Sequence, residues 1–429
     1  MRVVFFEDER ATQLAPIALT RPVFELLCGC FSMRERALRS LKPSAWGALV
    51  RSELRDVVRE EHPRASINDP IGLRDGPTLL VNGRWLFDAE SIAQASADNV
   101  GVVGDQIAWL RIEPIEAQLL DEDNWVEVIP QIAHSRAAKV EATGVMISYP
   151  WDLIAANRTQ LTLDFSNHFT ADTVAPQHVA ILGDQDMVSI DPTAEIDPYV
   201  VLDSRTGPIR IEAGARVQSF TRIEGPCFIG SGTKLFRALV REGCSIGPVC
   251  RVGGEIEESI IHGYANKYHE GFLGHSYVCP WVNIGAMSTT SDLKNDYSTV
   301  TVPLQGTPVD SGSSKVGSFI GDHAKISINS MFNTGSSVGV MAMVLPGGPL
   351  LPRFVPSFSV IWFGVLQDAW PLDRSIESAR IAMSRRGMEL TTAQESLLRH
   401  LHDQTAPRRA ETVSKAAARV AARERRGRR

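Results

Sequence analysis

The stretch "IGDHAKISINSMFNTGSSVGVMAMV", residues 320–344, carries Ile320, Ile326, Phe332, Val338 and Val344 at strict intervals of six. The same spacing runs through Ile211, Val217, Ile223, Ile229 and Leu235. It resumes after a one-residue slip at Val240, Ile246 and Val252, and again at Val278 and Ile284. An α-helix repeats at about 3.6 residues and a strand face at about 2, so neither alone yields six. A short strand followed by a tight corner does, with one aliphatic side chain per hexapeptide pointing inward. Glycine often follows that residue, as in Ile229-Gly230, Ile246-Gly247 and Ile320-Gly321, and lets the backbone turn. Three such faces make one coil, and stacked coils bury a continuous aliphatic column. The spacing predicts a parallel β-helix over 186–350.

The repeat is interrupted over 262–277, which overlaps the stretch "NKYHEGFLGHSYVCPWVNIGAMSTTSDLKN" (266–295) that holds His269 and His275. That interruption reads as a loop inserted between coils. Loops on a rigid scaffold often carry function.

A chain of 429 residues exceeds one ordinary core, so two or three domains are expected. Its 44% hydrophobic and 22% charged residues are those of a soluble globular protein rather than a disordered one. The start, "MRVVFFEDERATQ", lacks the long apolar run of a signal peptide, and no membrane span is expected. Six cysteines without a CxxC pattern suggest free thiols in a reducing cytoplasm. Residues 408–429 carry nine Lys/Arg against two Glu. They read as a basic tail, a frayed helix or disordered end rather than a nucleic-acid arm, because the body is acidic.

Residues 1–180 alternate apolar strands ("RVVFF", "WGALV", "TLLVNGRWL", "NVGVVG") with helix-like stretches such as "SMRERALRSL", which argues an α/β domain. Behind the repeat, 351–405 holds apolar residues at helical spacing, with Ile376, Ala379 and Met383 on one face and Leu390, Leu397, Leu398 and Leu401 later. This predicts a helical cap, with Arg385 and Arg386 available to a cofactor's phosphates. The basic tail, 406–429, follows it.

The His269 stretch resembles the catalytic segment of the GlmU-type bifunctional family, which joins a sugar nucleotidyltransferase to a left-handed β-helix acetyltransferase. The carriers of the likeness are the histidine, "LG" following it, and "NIGA" at 283–286. "LTRPVFELLCG" (19–29) is similar to the motif that opens an alternate branch of that family, and "WDLIAAN" (151–157) to its connecting helix. The resemblance implies a Rossmannoid N-terminal domain, homotrimers, acetyl-CoA as cosubstrate and sugar-nucleotide biosynthesis in the cytoplasm. It implies His269 as general base, Glu255 as the carboxylate that orients it, Asn283 as a sugar contact and the Ala286 N–H as oxyanion donor. Chemistry agrees on the histidine, since a base with pKa near 7 must take a proton as the amine attacks a thioester.

Two departures bear on the substrate. Glu257 stands at the family's phosphate-binding lysine, and Phe272 replaces an aromatic hydroxyl. Arg237, Arg241 or Lys294 could supply the missing cation, with His275 a further substrate contact. The resemblance implies acetylation of an amino sugar phosphate like glucosamine 1-phosphate. Its coupling to nucleotidyl transfer onto that sugar stays open, as does another amino sugar or a nucleotide-linked one. In the N-terminal half, "FFEDERATQLAPIALTRP" (5–22) has no glycine to cradle a triphosphate, and Arg84 stands where the family's metal-binding Asp would be. Thr20 and Arg21 would then clamp phosphate beside Asn82 and Arg84, and Asp8 would ligate Mg²⁺. Two other readings remain: a nucleotidyltransferase whose β-helix only trimerises or regulates the chain, and a non-catalytic scaffold.

Overall fold

A seven-stranded sheet organises the N-terminal region, in the order Ala138–Glu141, Asn99–Val103, Gln106–Ile112, Thr78–Asn82, Arg2–Phe6, Ala45–Leu49, Ser66–Ile67. The computed structural model describes residues 1–170, 176–368 and 370–427. All pairings are parallel except those of Gln106–Ile112. The strands are apolar on both sides because both faces are covered. Val4, Phe6 and Leu80 pack under the helix Trp125–His134 through Trp125, Ile129 and Ile132. Val3, Phe5 and Val81 join a cluster that reaches Tyr277 and Phe319 of the repeat region and Leu397 and Leu401 near the C-terminus. One core therefore spans the domain junction.

From Val188 onward the chain coils into the parallel β-helix expected from the six-residue period, left-handed as the resemblance implies. Each face has its inward row. Ile190, Ile211, Ile229, Ile246, Ile261, Val278, Ile320, Val338 and Val355 stack in register on the first face. Val217, Leu235 and Val252 lead the second, and Leu202, Ile223, Val240, Ile256 and Leu273 the third. Corners bring backbones into contact. A Cβ on Gly247 would lie 2.0 Å from the His262 carbonyl oxygen on the next coil. Gly247→Ala is therefore expected to cost about 1–3 kcal/mol, read as a lowered denaturation midpoint.

The coils correct one expectation. Ile261 pairs with Val278, seventeen residues on, which is an ordinary turn of the solenoid. No loop is inserted at 262–277. The insertion comes one coil later: Val278 pairs with Ile320, forty-two residues on, and the excess includes the hairpin Thr301–Leu304 with Thr307–Asp310. The apparent break comes from slips of the period at Ile256, Ile261 and Val278 together with one residue of the wrong kind. Ile261, position 267 and Leu273 keep the six-residue spacing, but position 267 is a lysine.

The helix Pro150–His168 joins the two domains. Asn157 and Asp164, seven residues apart and so on one face, are buried. Asn157 accepts from the Gly29 N–H at 2.7 Å and donates to the Gly243 carbonyl at 2.8 Å. Asp164 pairs with Arg36 at 2.7 Å and accepts from the Cys30 N–H. At the far end, helices Leu372–Ser384 and Thr392–Gly427 pack back on the body. The expected basic tail continues the second helix as far as Gly427, with Arg428 and Arg429 outside the described residues. Arg409 accounts for part of the difference: it is 4% exposed and bonds Asp368 at 2.8 Å. Among the described residues no helix is long and apolar enough to cross a membrane.

Candidate active site

Stacking, rather than an excursion of the chain, assembles the site. Val252 pairs with Lys267 and Glu255 with Phe272, so residues 253–254 on one coil face 268–271 on the next. That corner is two residues longer and bulges outward, exposing Tyr268, His269 and Glu270. The following coil stacks on it, with the Met287 N–H donating to the Glu270 carbonyl at 2.9 Å. Glu255, His269 and Ala286 thus lie at or beside one corner on three successive coils. Asn283 sits on the strand leading into that corner. Coil stacking thus sets the backbones of the four residues expected to act together near one corner, while among the described residues their side chains make no hydrogen bond or ion pair with one another.

The His269 imidazole packs edge-on against Tyr268, with ring centroids 4.7 Å apart, and among the described residues has no hydrogen-bond partner. Glu255 turns toward Arg241, at 3.6 Å, rather than toward His269. Asn283 accepts from the Asn266 amide at 3.2 Å, and Asn266 accepts from Arg386 at 2.7 Å. Arg386, considered for a cofactor's phosphates, thus reaches the site through two amides. The Ala286 carbonyl is taken by the Asn329 N–H at 2.9 Å.

The remaining expected contacts divide. Arg241 lies 2.9 Å from Glu257, and Lys315 lies 3.6 Å from the same carboxylate. The acidic replacement at 257 therefore gathers two cations rather than standing alone. Arg237 is exposed at a bulge in its strand. Phe272 is half-buried in the pair with Glu255. His275 is held by Asp292 at 2.8 Å, and Lys294 bonds its own loop at Ser298 and Thr299. These last two are engaged in holding the chain. Sequence reasoning missed Lys267 and Asp292. The six-residue spacing through 261 and 273 was the available sign of Lys267.

In the N-terminal domain the expected nucleotide and metal residues are paired with protein groups. Arg84 is fully buried and donates to Asp8 through Nε at 2.7 Å and through a terminal nitrogen at 2.5 Å. It also bonds the Ile147 carbonyl and Gln106, while Asn82 donates to Asp8 at 2.9 Å. Burial pushes the Asp8 carboxyl up, but Arg84 outweighs it and holds the carboxyl below its ordinary value. Both oxygens of Asp8 are taken by a cation of the chain, so this carboxylate does not fit the role of a Mg²⁺ ligand. Among the described residues no group of three or more His, Cys, Asp or Glu side chains is arranged to hold a metal ion. Asp8→Asn is expected to cost about 2–3 kcal/mol of stability by orphaning a buried guanidinium. Thermal denaturation of the variant checks this.

Arg21 is not an open phosphate clamp either. It forms a two-pronged ion pair with Asp322 of the β-helix, at 2.5 and 3.1 Å. The rest of its motif follows it onto the solenoid. The Tyr277 hydroxyl accepts from the Leu27 N–H at 3.0 Å, His262 meets the Glu25 carbonyl at 2.9 Å, and Ser245 donates to the Gly29 carbonyl at 2.8 Å. The stretch 19–29 is a docking strip, and Thr20 lines the cavity of about 640 Å³ beside it.

Comparison with known proteins agrees with this architecture. Residues 3–171 match the family of sugar nucleotidyl transferases. A bifunctional sugar-1-phosphate nucleotidylyltransferase/acetyltransferase from Sulfurisphaera tokodaii is 33% identical over 93 residues, 22% of this chain and 23% of that protein. A bifunctional protein GlmU from Rippkaea orientalis is 28% identical over 130 residues, 25% of this chain and 29% of that protein. The matches thus span about a quarter of the length of these curated relatives. A Bacillus cereus acetyltransferase candidate aligns over 52% of this chain and 96% of its own at 13% identity, with a TM-score of 0.22, too slight to bear on function. Residues 3–171 are thus similar to the sugar nucleotidyl transferases, in a chain that is similar over part of its length to the GlmU-type bifunctional proteins.

Proposed function

We propose that the β-helix transfers an acetyl group from acetyl-CoA to the amine of an amino sugar phosphate. The observation that carries this reading is the convergence of Glu255, His269, Asn283 and Ala286 around one exposed corner of stacked coils. The amine nitrogen attacks the thioester carbonyl carbon while the His269 imidazole takes its proton. The tetrahedral oxyanion meets the Ala286 N–H, and the C–S bond then breaks to release the thiolate. Asn283 contacts the sugar. Arg241 and Lys315, drawn together by Glu257, supply positive charge for its phosphate, with Arg237 alongside.

On a single chain this corner is a ridge, with Met287 59% and Tyr268 38% exposed. A second copy is needed to make it a cleft, and in this reading the chain works as a homotrimer. The first face is already occupied by the N-terminal domain, so copies meet through the other two. The alternative, a nucleotidyltransferase with a purely structural β-helix, needs an open metal carboxylate at Asp8, and Arg84 fills that place. Mixing the protein with acetyl-CoA and glucosamine 1-phosphate tests the reading. Free thiol and an N-acetylated sugar should form together, and thiol release that ignores the added sugar would contradict it.

A further inference from the structure

On the second face, Val217, Leu235 and Val252 precede position 267, and Ile326, Val344 and Ile361 continue the row after Ile284. All are aliphatic except Lys267, which is 2% exposed inside the prism. Its ammonium donates to the Gly253 carbonyl at 2.9 Å and to the His269 carbonyl at 2.6 Å. Around it lie Phe272, Leu273, Ile284, Ile320, Phe332 and Thr290, with a void of about 10 Å³. A leucine or methionine would fill this slot without removing a charge from water. Packing therefore gives no reason for a lysine here. Geometry does.

The corner 268–271 is two residues longer than the one beneath it, and among the described residues the His269 side chain makes no hydrogen bond of its own. What fixes the histidine is therefore its backbone, held by the Lys267 ammonium from within and by the neighbouring coils at Glu270 and Gly271. We infer that Lys267 is a positioning residue, which clamps the His269 carbonyl from inside the solenoid and so sets the imidazole for proton transfer. The inference rests on His269 being the base.

Burial draws the Lys267 amine down to about 8, opposed by the Glu270 carboxylate. A neutral amine still has two N–H groups, enough for both carbonyls, so the clamp survives deprotonation. Stability responds instead. The amine's pKa is lower in the folded chain than in the unfolded one, so between about 8 and 10.5 the unfolded state binds more protons. The penalty of the buried charge is present below that window and is relieved as pH rises through it.

The test uses the full chain and compares Lys267→Met with Val252→Ala, which disturbs the same row next to the clamp but removes neither the ammonium nor either of the carbonyls it bonds. Lys267→Met should fold with a melting temperature at pH 7 equal to or above wild type. Its kcat should fall about tenfold or more, with the KM for acetyl-CoA within about twofold. The acid limb of its kcat/KM profile should shift. Val252→Ala should lose stability and keep kcat. A Lys267→Met enzyme with wild-type kcat, while His269→Ala is inactive, overturns the clamp alone. So does failure of Lys267→Met to fold, or an equal loss of kcat in Val252→Ala. Full activity in His269→Ala overturns the base assignment and the clamp with it.

Discussion

Replacing His269 with alanine is expected to lower sugar-dependent thiol release by about 10²–10⁴-fold, the range typical of a lost general base. The fold should not notice. The imidazole is exposed and bonds nothing among the described residues, so the melting temperature should stay close to wild type. Because the amine must lose a proton as it attacks, the residual rate should rise with pH as more of the free amine becomes available. A circular-dichroism melt beside a thiol assay separates loss of chemistry from loss of structure. A variant within threefold of wild type would mean that the proton leaves by another route.

Asp322→Ala should behave in the opposite way, with a large effect on stability. Asp322 and Arg21 have side chains 4% and 13% exposed, and the pair joins two domains across 301 residues of sequence. Removing the carboxylate strands a buried guanidinium, which typically costs about 3–5 kcal/mol. The docking strip should loosen and become open to protease. The double change Arg21→Met with Asp322→Leu should recover much of the loss, because a well-packed apolar pair does not carry the cost of burying two charges. Acid should mimic the single change. Arg21 holds the Asp322 carboxyl below its ordinary value against the push of burial. Its contribution is thus present above the unfolded value near 3.9 and lost as pH falls through the folded one. A cost below about 1 kcal/mol for Asp322→Ala would show that the apolar junction holds the domains without the pair.

The β-helix was legible because its physics is local: one inward residue per face, six residues apart, visible from Ile320 to Val344. The α/β domain was legible for a similar reason, in apolar runs such as "RVVFF" and "TLLVNGRWL". What sequence left hidden was long-range. Arg21 reads as a phosphate ligand because nothing near it declares Asp322 its partner, and Asp8 reads as a metal ligand because Arg84 lies 76 residues away. The site was half legible. His269, Glu255, Asn283 and Ala286 were singled out through a likeness of motif, and coil stacking explains why residues fourteen apart lie near one corner. Lys267 escaped because a charged residue in an aliphatic slot looks like the end of a repeat. The insertion after Thr290 escaped because its residues, rich in Ser, Thr and Asp, carry no period at all.

The most direct test of the whole account is a crystal structure of the protein with coenzyme A and an N-acetylated hexosamine 1-phosphate, the two products, bound together. The account predicts the acetamido nitrogen within about 3.5 Å of the His269 imidazole. The sugar should lie against Asn283 and its phosphate toward Arg241, in a seam completed by a second copy of the chain. Sugar and coenzyme bound elsewhere, with the His269 corner bare, would contradict it.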